Sequence, residues 1–373
     1  MTQDSTYIWK QPGWPAFHYD PGAVGAALAS ARRAQGTVEG KLAALGFEQR
    51  LELAAEAWSQ EAVATAAIEG ERLDLAAVRS SVARRLGVGK QDGPNAPRNV
   101  EGLLDIMDDA VTRCADEMTD ERLHAWQAAL FPTGYSGMTK VLTGGYREHA
   151  EPMQIVSGRA GREQVHYEAP PSARVPEEMG QLLRWFNAST EPDTLVRTAL
   201  THLWFETIHP FEDGNGRIAR AIADLALARS EQSDQRFYSM SAQIRIERSG
   251  YFHILEWSQK GTLDITSWLR WFLDCLGHAI ESAQSALNGV VHRTRFCDAI
   301  QDFALNERQR SMLNRLLDGF TGKLTTTKWA ALAKCSQDTA LRDILPLVER
   351  GILARGEGGG RSTSYELAAQ AAF

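Results

Sequence analysis

The sequence has little of what marks secreted, membrane-spanning or nucleic-acid-binding proteins. Its cysteines are Cys114, Cys275, Cys297 and Cys335, and none forms a Cys-x-x-Cys pair, so a zinc site or a disulfide framework is not expected. No apolar run reaches the roughly 18 residues that a membrane span requires, and the first residues lack the basic and apolar segments of a signal peptide. Acidic residues outnumber basic ones by 47 to 40, which gives no general attraction for nucleic acids or anionic membranes. We therefore expect a cytoplasmic protein with reduced thiols and no membrane contact.

The composition is otherwise that of an ordinary globular protein. The chain has 373 residues, of which 43% are hydrophobic and 23% charged, enough for a sizeable core and about two or three domains. Apolar residues recur at spacings of three and four over most of the length, which predicts a mainly α-helical fold. Two β-prone runs, 154–156 and 164–167, flank a glycine-bearing segment and predict a hairpin with a long loop.

Breaks in this pattern predict separate domains. Helical periodicity over 21–86, interrupted at Gly46, predicts a pair of antiparallel helices in an N-terminal module over residues 1–90. Glycine and proline are dense between 87 and 98, and this loop leads into a central domain over residues 91–290.

The last part of the chain, residues 305–373, has a pattern of its own. Helices are predicted over 307–318, 327–334 and 337–350, with Ser336 as the N-cap of the last one. A strand, a glycine-rich stretch and a second strand follow. This order is typical of a winged helix-turn-helix, which is the third predicted domain.

The most informative segment is HPFEDGNGRIAR, residues 209–220. Backbone N–H groups at a helix start are unpaired and can hold oxyanions. Gly214 and Gly216 allow a ligand to come close to the backbone. Asp213 can bind a hard divalent cation through its carboxylate oxygens.

Two further kinds of side chain complete this segment. Arg217 and Arg220 are three residues apart, so they share a helix face and can bind neighbouring phosphates. His209 can take up a proton near neutral pH. The segment therefore predicts a site that binds the phosphates of a nucleotide beside a general base.

Residues 209–220 resemble the signature of the Fic family, His-x-Phe-x-(Asp/Glu)-Gly-Asn-Gly-Arg-x-x-Arg, at every fixed position. Residues 199–208 are similar to the helix that leads into that signature. The resemblance implies a Fic helical core with a β-hairpin flap, and transfer of AMP from ATP to a Ser, Thr or Tyr hydroxyl of a protein target. His209 would then accept the proton of the attacking hydroxyl, and Asp213 would hold Mg²⁺ or Mn²⁺ between the α- and β-phosphates.

The resemblance also implies how the nucleotide and the target are held. The residues implied to hold the nucleotide are Phe211, Gly214, Asn215, Gly216, Arg217, Arg220, Tyr251 and Phe252. Backbone amides of the glycine loop would bind oxyanions, Arg217 the β-phosphate and Arg220 the γ-phosphate. Phe211 would anchor the loop in the core, and the aromatic pair 251–252 would lie near the base. The hairpin over about 153–167 matches the family's flap, where an extended target segment would add as a strand, with Ile155 as the clamp residue.

The segment TAAIEG, residues 65–70, resembles the family's inhibitory motif, (Ser/Thr)-x-x-x-Glu-(Gly/Asn). Its fixed residues are Thr65, Glu69 and Gly70, and the glycine suits a helix C-terminus. The resemblance implies that Glu69 pairs with Arg220 and so occupies the arginine that the γ-phosphate needs. The sequence therefore predicts an autoinhibited protein adenylyltransferase that modifies a protein target and itself.

One alternative function is that of a DNA-binding regulator whose Fic core senses nucleotide. Arg342, Arg355 and Arg361 of the C-terminal module would contact phosphates, while Asp338 and Asp343, on the same helix as Arg342, oppose DNA binding. A winged helix also docks proteins or forms dimers, so a homodimer is another use of this module.

A second alternative is removal of AMP from a modified protein, with Glu69 positioning the water. Transfer of a different nucleotide or phosphate group is also compatible with the motif. The sequence leaves these reactions open, together with the identity of the protein target.

Overall fold

The computed structural model describes residues 7–88, 94, 96–158, 164–188, 193–301, 303–317, 320, 322–356 and 363–368. It is mainly helical, which confirms the fold class expected from the spacing of apolar residues. The helices are α1 (Pro21–Leu42), α2 (Phe47–Ile68), α3 (Leu75–Leu86), α4 (Arg98–Thr112), α5 (Asp120–Leu130), α6 (Val175–Ala188), α7 (Thr194–Ile208), α8 (Asn215–Glu231), α9 (Met240–Ile246), α10 (Arg248–Gln259), α11 (Thr266–Ala299), α12 (Glu307–Leu317), α13 (Thr326–Leu332) and α14 (Gln337–Glu349). Within the described ranges, none of them combines the length and the apolar character needed to cross a membrane.

The strands are short and all pair antiparallel. They are β1 (Tyr135–Ser136), β2 (Thr139–Lys140), β3 (Gln154–Ser157), β4 (Gln164–Glu168), β5 (Leu324–Thr325), β6 (Leu353–Arg355) and β7 (Ser364–Leu367). β1 pairs with β2, β3 with β4, and the last three form a sheet in the order β5-β7-β6. The β3–β4 pair confirms the predicted hairpin, and residues 159–163 of its long loop lie outside the described residues.

The chain divides into two compact units, Met1–Gln284 and Ser285–Phe373. In the first unit, α7 and α8 pack against each other and are buried on nearly every side. α2, α4, α5 and α6 surround this pair. A helix that is apolar around most of its circumference is stable only in such a position. The loop that joins α7 to α8, residues 209–214, is therefore held at the edge of the core.

The N-terminal part of this unit differs from the predicted pair of helices, because a third helix is present. The chain leaves α2 at Gly70, which has a φ of 86° and cannot continue a right-handed helix. Asp74 then starts α3 by accepting a hydrogen bond from Ala76 N at 2.8 Å. α2 packs against α3, α8 and α9, which brings its C-terminal end to the start of α8.

The second unit has its own apolar core, in which the Trp329 side chain is fully buried. α12, α13 and α14 correspond to the predicted helices within a few residues. Ser336 caps α14 by accepting from Thr339 N at 3.2 Å, as predicted. β5, at Leu324–Thr325, was not predicted, because two residues are too few to show an alternating pattern.

The residues that would contact DNA are only partly described. Arg342 and Arg355 are exposed. Arg361 and the rest of the glycine-rich stretch from 357 to 362 lie outside the described residues. The winged-helix assignment of this unit and its DNA binding stay predictions.

Candidate active site

His209 lies where α7 ends, and its backbone is held from two sides. The residue has a left-handed conformation, with a φ of 50°, and its N–H donates to the Phe205 carbonyl at 2.9 Å. The guanidinium of Arg147 donates from Nε to the His209 carbonyl at 2.8 Å. This arginine is buried, and burial lowers its pKa to about 10. A left-handed residue that is not glycine is uncommon, and such conformations cluster at functional sites.

Glu206, one helical turn before His209, places a buried carboxylate behind the imidazole. Its Oε2 lies 3.6 Å from His209 Nδ1, and its Oε1 accepts from the Tyr251 hydroxyl at 3.4 Å. Burial alone would raise the pKa of Glu206, but His209, His202 and Arg220 outweigh burial and bring the pKa below its usual value. An anion in this position can orient the imidazole and stabilise its protonated form, as the acidic member of a catalytic triad does.

The base of the flap is bonded to the same end of α7. Tyr167, on β4, is buried and donates its hydroxyl proton to the Thr207 carbonyl at 2.7 Å. Arg147, which holds His209, also donates to the Pro170 carbonyl just beyond β4. The flap and the His209 loop therefore share their attachment points.

Asn215 closes the loop between the two helices. Its side-chain oxygen accepts from Phe211 N at 2.9 Å, and its side-chain nitrogen donates to the Phe211 carbonyl at 2.8 Å. Phe211 is fully buried, and its ring centroid lies 5.3 Å from that of Tyr146. The Phe211 side chain thus lies in the core, where the anchor role would place it, and the Asn215 side chain faces the loop.

The start of α8 has the geometry of an anion-binding helix N-terminus. Gly214 has a φ of 90°, and a Cβ added there would lie 2.9 Å from Leu130 Cδ1, so both conformation and space require glycine. The first hydrogen bond of the helix runs from Ile218 N to the Gly214 carbonyl at 3.0 Å. The N–H groups of residues 215–217 precede this bond and are the ones that a helix start offers to an oxyanion.

Asp213 lies beside this helix start with its side chain 40% exposed. Its Oδ1 accepts from Gly214 N at 2.6 Å, and its Oδ2 accepts from the Ser136 hydroxyl. Arg217 Nη2 lies 3.8 Å from Oδ1. Among the residues that the structure describes, no group of three or more His, Cys, Asp and Glu side chains is arranged to hold a metal. A single exposed carboxylate still suits Mg²⁺, which takes most of its ligands from substrate phosphates and water.

Arg220, predicted to bind the γ-phosphate, is paired with Glu69. Its Nη2 lies 2.7 Å from Glu69 Oε1 and also donates to the Thr65 carbonyl at 3.1 Å, and its Nε donates to the Thr65 hydroxyl at 2.7 Å. Burial alone would lower the pKa of Arg220, but Glu69 outweighs burial and raises it. The structure thus brings the predicted inhibitory motif and this arginine together, with Gly70 turning the chain away after Glu69.

Arg217, predicted to bind the β-phosphate, is paired with a different carboxylate. Its Nη1 lies 3.1 Å from Glu71 Oε1, two residues beyond Glu69. The Arg217 side chain is 6% exposed and that of Glu71 is 41% exposed. Each of the two arginines therefore has an acidic partner from the segment that follows α2.

The Glu69 carboxylate also covers the helix start itself. A Cβ added to Gly216 would collide with Glu69 Oε1 and would lie 3.1 Å from Arg220 Nη1. The carboxylate is therefore against the backbone that a phosphate would approach. Glycine at position 216 is what makes room for it.

A cleft of about 600 Å³ joins half of the predicted residues. Its predicted lining residues are Glu69, Ile155, His209, Gly216, Arg220, Tyr251 and Phe252. The Tyr251 side chain is buried and its ring lies 5.1 Å from that of Phe252, which is 39% exposed. Asp213 and Arg217 adjoin the cleft through the loop and the first turn of α8 instead of lining it.

Reasoning from the sequence missed four residues of this site: Glu206, Glu71, Arg147 and Ser136. Glu206 had a readable signal, because a residue three positions before His209 on a helix shares its face. The others had none, because each contact joins distant parts of the chain. Arg147 is 62 positions from His209, Ser136 is 77 from Asp213, and Glu71 is 146 from Arg217.

Two family models match separate parts of the first unit. Residues 117–227 match the Fic/DOC family, and residues 7–88 match a domain of unknown function, DUF4172. A protein adenylyltransferase Fic of Drosophila ananassae is 25% identical over 246 residues, which cover 64% of this chain and 44% of that protein. The chain thus spans less than half the length of this relative. A probable protein adenylyltransferase of Aquifex aeolicus is 33% identical over 61 residues, covering 16% of this chain and 19% of that protein.

Comparison with solved structures supports the fold. The crystal structure of a Fic family protein from Desulfovibrio desulfuricans G20 superposes with a TM-score of 0.56 at 22% identity, covering 95% of this chain and 98% of that one. A Fic-domain signalling protein from Bacteroides thetaiotaomicron gives a TM-score of 0.51 at 18% identity and covers 72% of this chain and 97% of that one. At these identities the likeness concerns the fold alone.

Proposed function

Because this chain carries a Fic/DOC domain over residues 117–227, we propose that it is a protein adenylyltransferase whose resting state is inhibited by the residues that follow α2. The observation that carries the proposal is the placement of His209, the start of α8 and Arg220 around one cleft of about 600 Å³. A general base, an oxyanion-binding helix start and a guanidinium are the groups that nucleotide transfer needs side by side.

In the proposed reaction, ATP lies with its triphosphate against the start of α8. The backbone N–H groups there hold the α-phosphate, and Arg217 and Arg220 hold the β- and γ-phosphates. His209 takes the proton of a Ser, Thr or Tyr hydroxyl, whose oxygen attacks the α-phosphorus while pyrophosphate leaves. Glu206 keeps the imidazole in place and stabilises the charge that it acquires. Bound Mg²⁺, held by Asp213, would neutralise charge on the α- and β-phosphates.

The flap supplies a docking edge for the target. β3 has β4 on one side, and its other edge has no partner strand among the described residues. Ile155 lines the cleft from β3, and the neighbouring Val156 is 49% exposed. An extended segment of a protein that added to this edge would be fixed by main-chain bonds with its hydroxyl facing the cleft.

The two carboxylates that hold the arginines would act as the brake. Glu69 occupies Arg220 and covers the backbone at Gly216, and Glu71 occupies Arg217. A triphosphate must displace both to reach its productive position, because each arginine is buried and has its guanidinium engaged. Activation would therefore require the end of α2 to move or to be altered.

Transfer of labelled AMP tests the proposal. Full-length wild type and Glu69→Gly are incubated with α-labelled ATP, Mg²⁺ and an extract of the source cells, and the labelled proteins are separated on a gel. Glu69→Gly should label extract proteins well above wild type, and adding His209→Ala should remove that labelling because the general base is lost. Glu52→Ala, at an exposed position of α2, is the control and should stay at the wild-type level.

Three results would contradict the proposal. Equal, low labelling by wild type and Glu69→Gly would remove the brake. Undiminished labelling of extract proteins by Glu69→Gly/His209→Ala would contradict His209 as the base for target modification. Loss of label from extract proteins that already carry AMP would favour the reverse reaction, removal of AMP.

A further inference from the structure

A series of three hydrogen-bonded side chains joins the flap to α10 on one side of the cleft. The Ser157 hydroxyl, on β3, lies 2.6 Å from His166 Nε2, on β4. His166 Nδ1 lies 2.8 Å from Glu256 Oε2, on α10. A hydroxyl, an imidazole and a carboxylate are thus aligned in the order that activates a serine nucleophile.

The proton positions follow from the acidic end of this chain. Glu256 Oε1 accepts from Lys260 Nζ at 2.6 Å, and Lys260 and His166 together bring the Glu256 pKa below its usual value, although burial alone would raise it. The ionised carboxylate can only accept a hydrogen bond, so His166 Nδ1 carries the hydrogen. In the neutral imidazole Nε2 is then the acceptor, and the Ser157 hydroxyl donates to it.

This chain of residues shares the cleft with the candidate active site. Ser157, His166 and Glu256 line the same cleft of about 600 Å³ as His209 and Arg220. A contact that only fastened the flap to α10 would be complete with the His166–Glu256 pair. The third member is a hydroxyl hydrogen-bonded to that imidazole, in the lining of the cleft that also contains the proposed phosphate site.

We propose that Ser157 is a self-modification site of this protein, and that His166 is its base. The inference rests on the proposed function, because the donor is ATP bound in the same chain. Ser157 Oγ forms a bond to the α-phosphorus, the bond from that phosphorus to the bridging oxygen of the β-phosphate breaks, and pyrophosphate leaves with the bonding electrons. The Ser157 proton passes to His166 Nε2, and Glu256 stabilises the resulting imidazolium. The product is a chain with AMP on the flap.

Peptide mass spectrometry reads this site without ambiguity. Trypsin releases residues 148–159, in which Ser157 is the only side chain with a hydroxyl group. Full-length Glu69→Gly is incubated with ATP and Mg²⁺ and digested, and this peptide should carry one AMP. Adding Ser157→Ala should abolish the modified peptide, while adding Ser30→Ala, an exposed serine on α1, should leave it unchanged. The modified fraction per unit time should be independent of protein concentration, because donor and acceptor belong to one molecule.

A further variant tests whether His166 is the base. Adding His166→Gln should lower modification of the peptide by about a hundredfold or more, the usual contribution of a positioned base. Equal melting temperatures with and without His166→Gln exclude unfolding as the cause.

Each contrary outcome identifies which statement fails. AMP on extract proteins or on other peptides, without AMP on residues 148–159, overturns the inference and leaves the proposed function standing. Absence of AMP from every protein in the reaction overturns both. Peptide modification that survives His166→Gln overturns the assignment of His166 as the base.

Discussion

Replacing Glu71 by alanine should raise AMP transfer on its own, and by less than replacing Glu69. Each carboxylate pairs with a buried arginine that is proposed to bind a phosphate, but the surroundings of the two pairs differ. The Glu69 side chain is 35% exposed and lies 2.7 Å from Arg220, whereas that of Glu71 is 41% exposed and lies 3.1 Å from Arg217. The shorter, less exposed pair is the stronger one.

The expected gain in ATP binding for each variant follows from the energies of such ion pairs. A hydrogen bond to a charged group contributes about 1.5–3 kcal/mol, and an exposed ion pair about 1 kcal/mol or less. Glu69 has the better geometry, so its loss should aid ATP binding by about 2 kcal/mol, or about thirtyfold. Water screens Glu71 more, so its loss should contribute about 1 kcal/mol, or about fivefold.

Initial rates of AMP transfer at ATP concentrations below KM measure these effects. Glu71→Ala and Glu71→Gln should behave alike, since each removes the charge that holds Arg217. The exposed Glu52→Ala on α2 is the control and should match wild type. Rates of Glu71→Ala at or below wild type would refute the idea that Glu71 restrains Arg217, and a gain equal to that of Glu69→Gly would refute the ranking.

Three further predictions concern the rest of the site. Glu206→Gln should lower kcat with little change in KM. The pKa of Glu206 lies below its ordinary 4.5, so the ionised carboxylate stabilises the folded protein above pH 4.5, and this stabilisation is lost as the pH falls through the lowered pKa. The free energy of unfolding, measured with urea at a series of acidic pH values, should therefore depend less on pH in the variant. Chelation of Mg²⁺ should stop AMP transfer, and added Mg²⁺ should restore it. Asp213→Asn should raise the Mg²⁺ concentration that transfer requires. AMP transfer that continues in the presence of a chelator would contradict a role for the metal. Gly214→Ala should destabilise the fold by about 2–4 kcal/mol, from the left-handed backbone and a Cβ only 2.9 Å from Leu130 Cδ1, whereas Gly36→Ala on α1, where a Cβ meets nothing within 4 Å, should not lower the melting temperature.

Much of the fold was predictable because its signals are local. Apolar residues at spacings of three and four predicted the long helices, and the β-prone runs predicted the hairpin of β3 and β4. α9 was not predicted, because seven residues offer too few turns to show a period. The third N-terminal helix was missed although its cap, Asp74, could be read from the sequence.

The site residues that could be predicted are likewise those whose signals are local in the sequence. His209, Asp213 and the two arginines lie within twelve consecutive residues, so their chemistry could be read together. The Glu69–Arg220 pair could be inferred only because both ends belong to recognisable motifs. Glu71 and Arg147 belong to no motif, and only tertiary structure brings them to Arg217 and His209.

The shared attachment of the flap and His209 has a mechanical consequence. Tyr167 ties β4 to the carbonyl of Thr207, and Arg147 bridges the carbonyls of Pro170 and His209. A strand that docked on the flap and displaced β4 would pull on the backbone carbonyls of Thr207 and His209. We therefore expect the proposed docking surface and the proposed base to be mechanically coupled through Arg147.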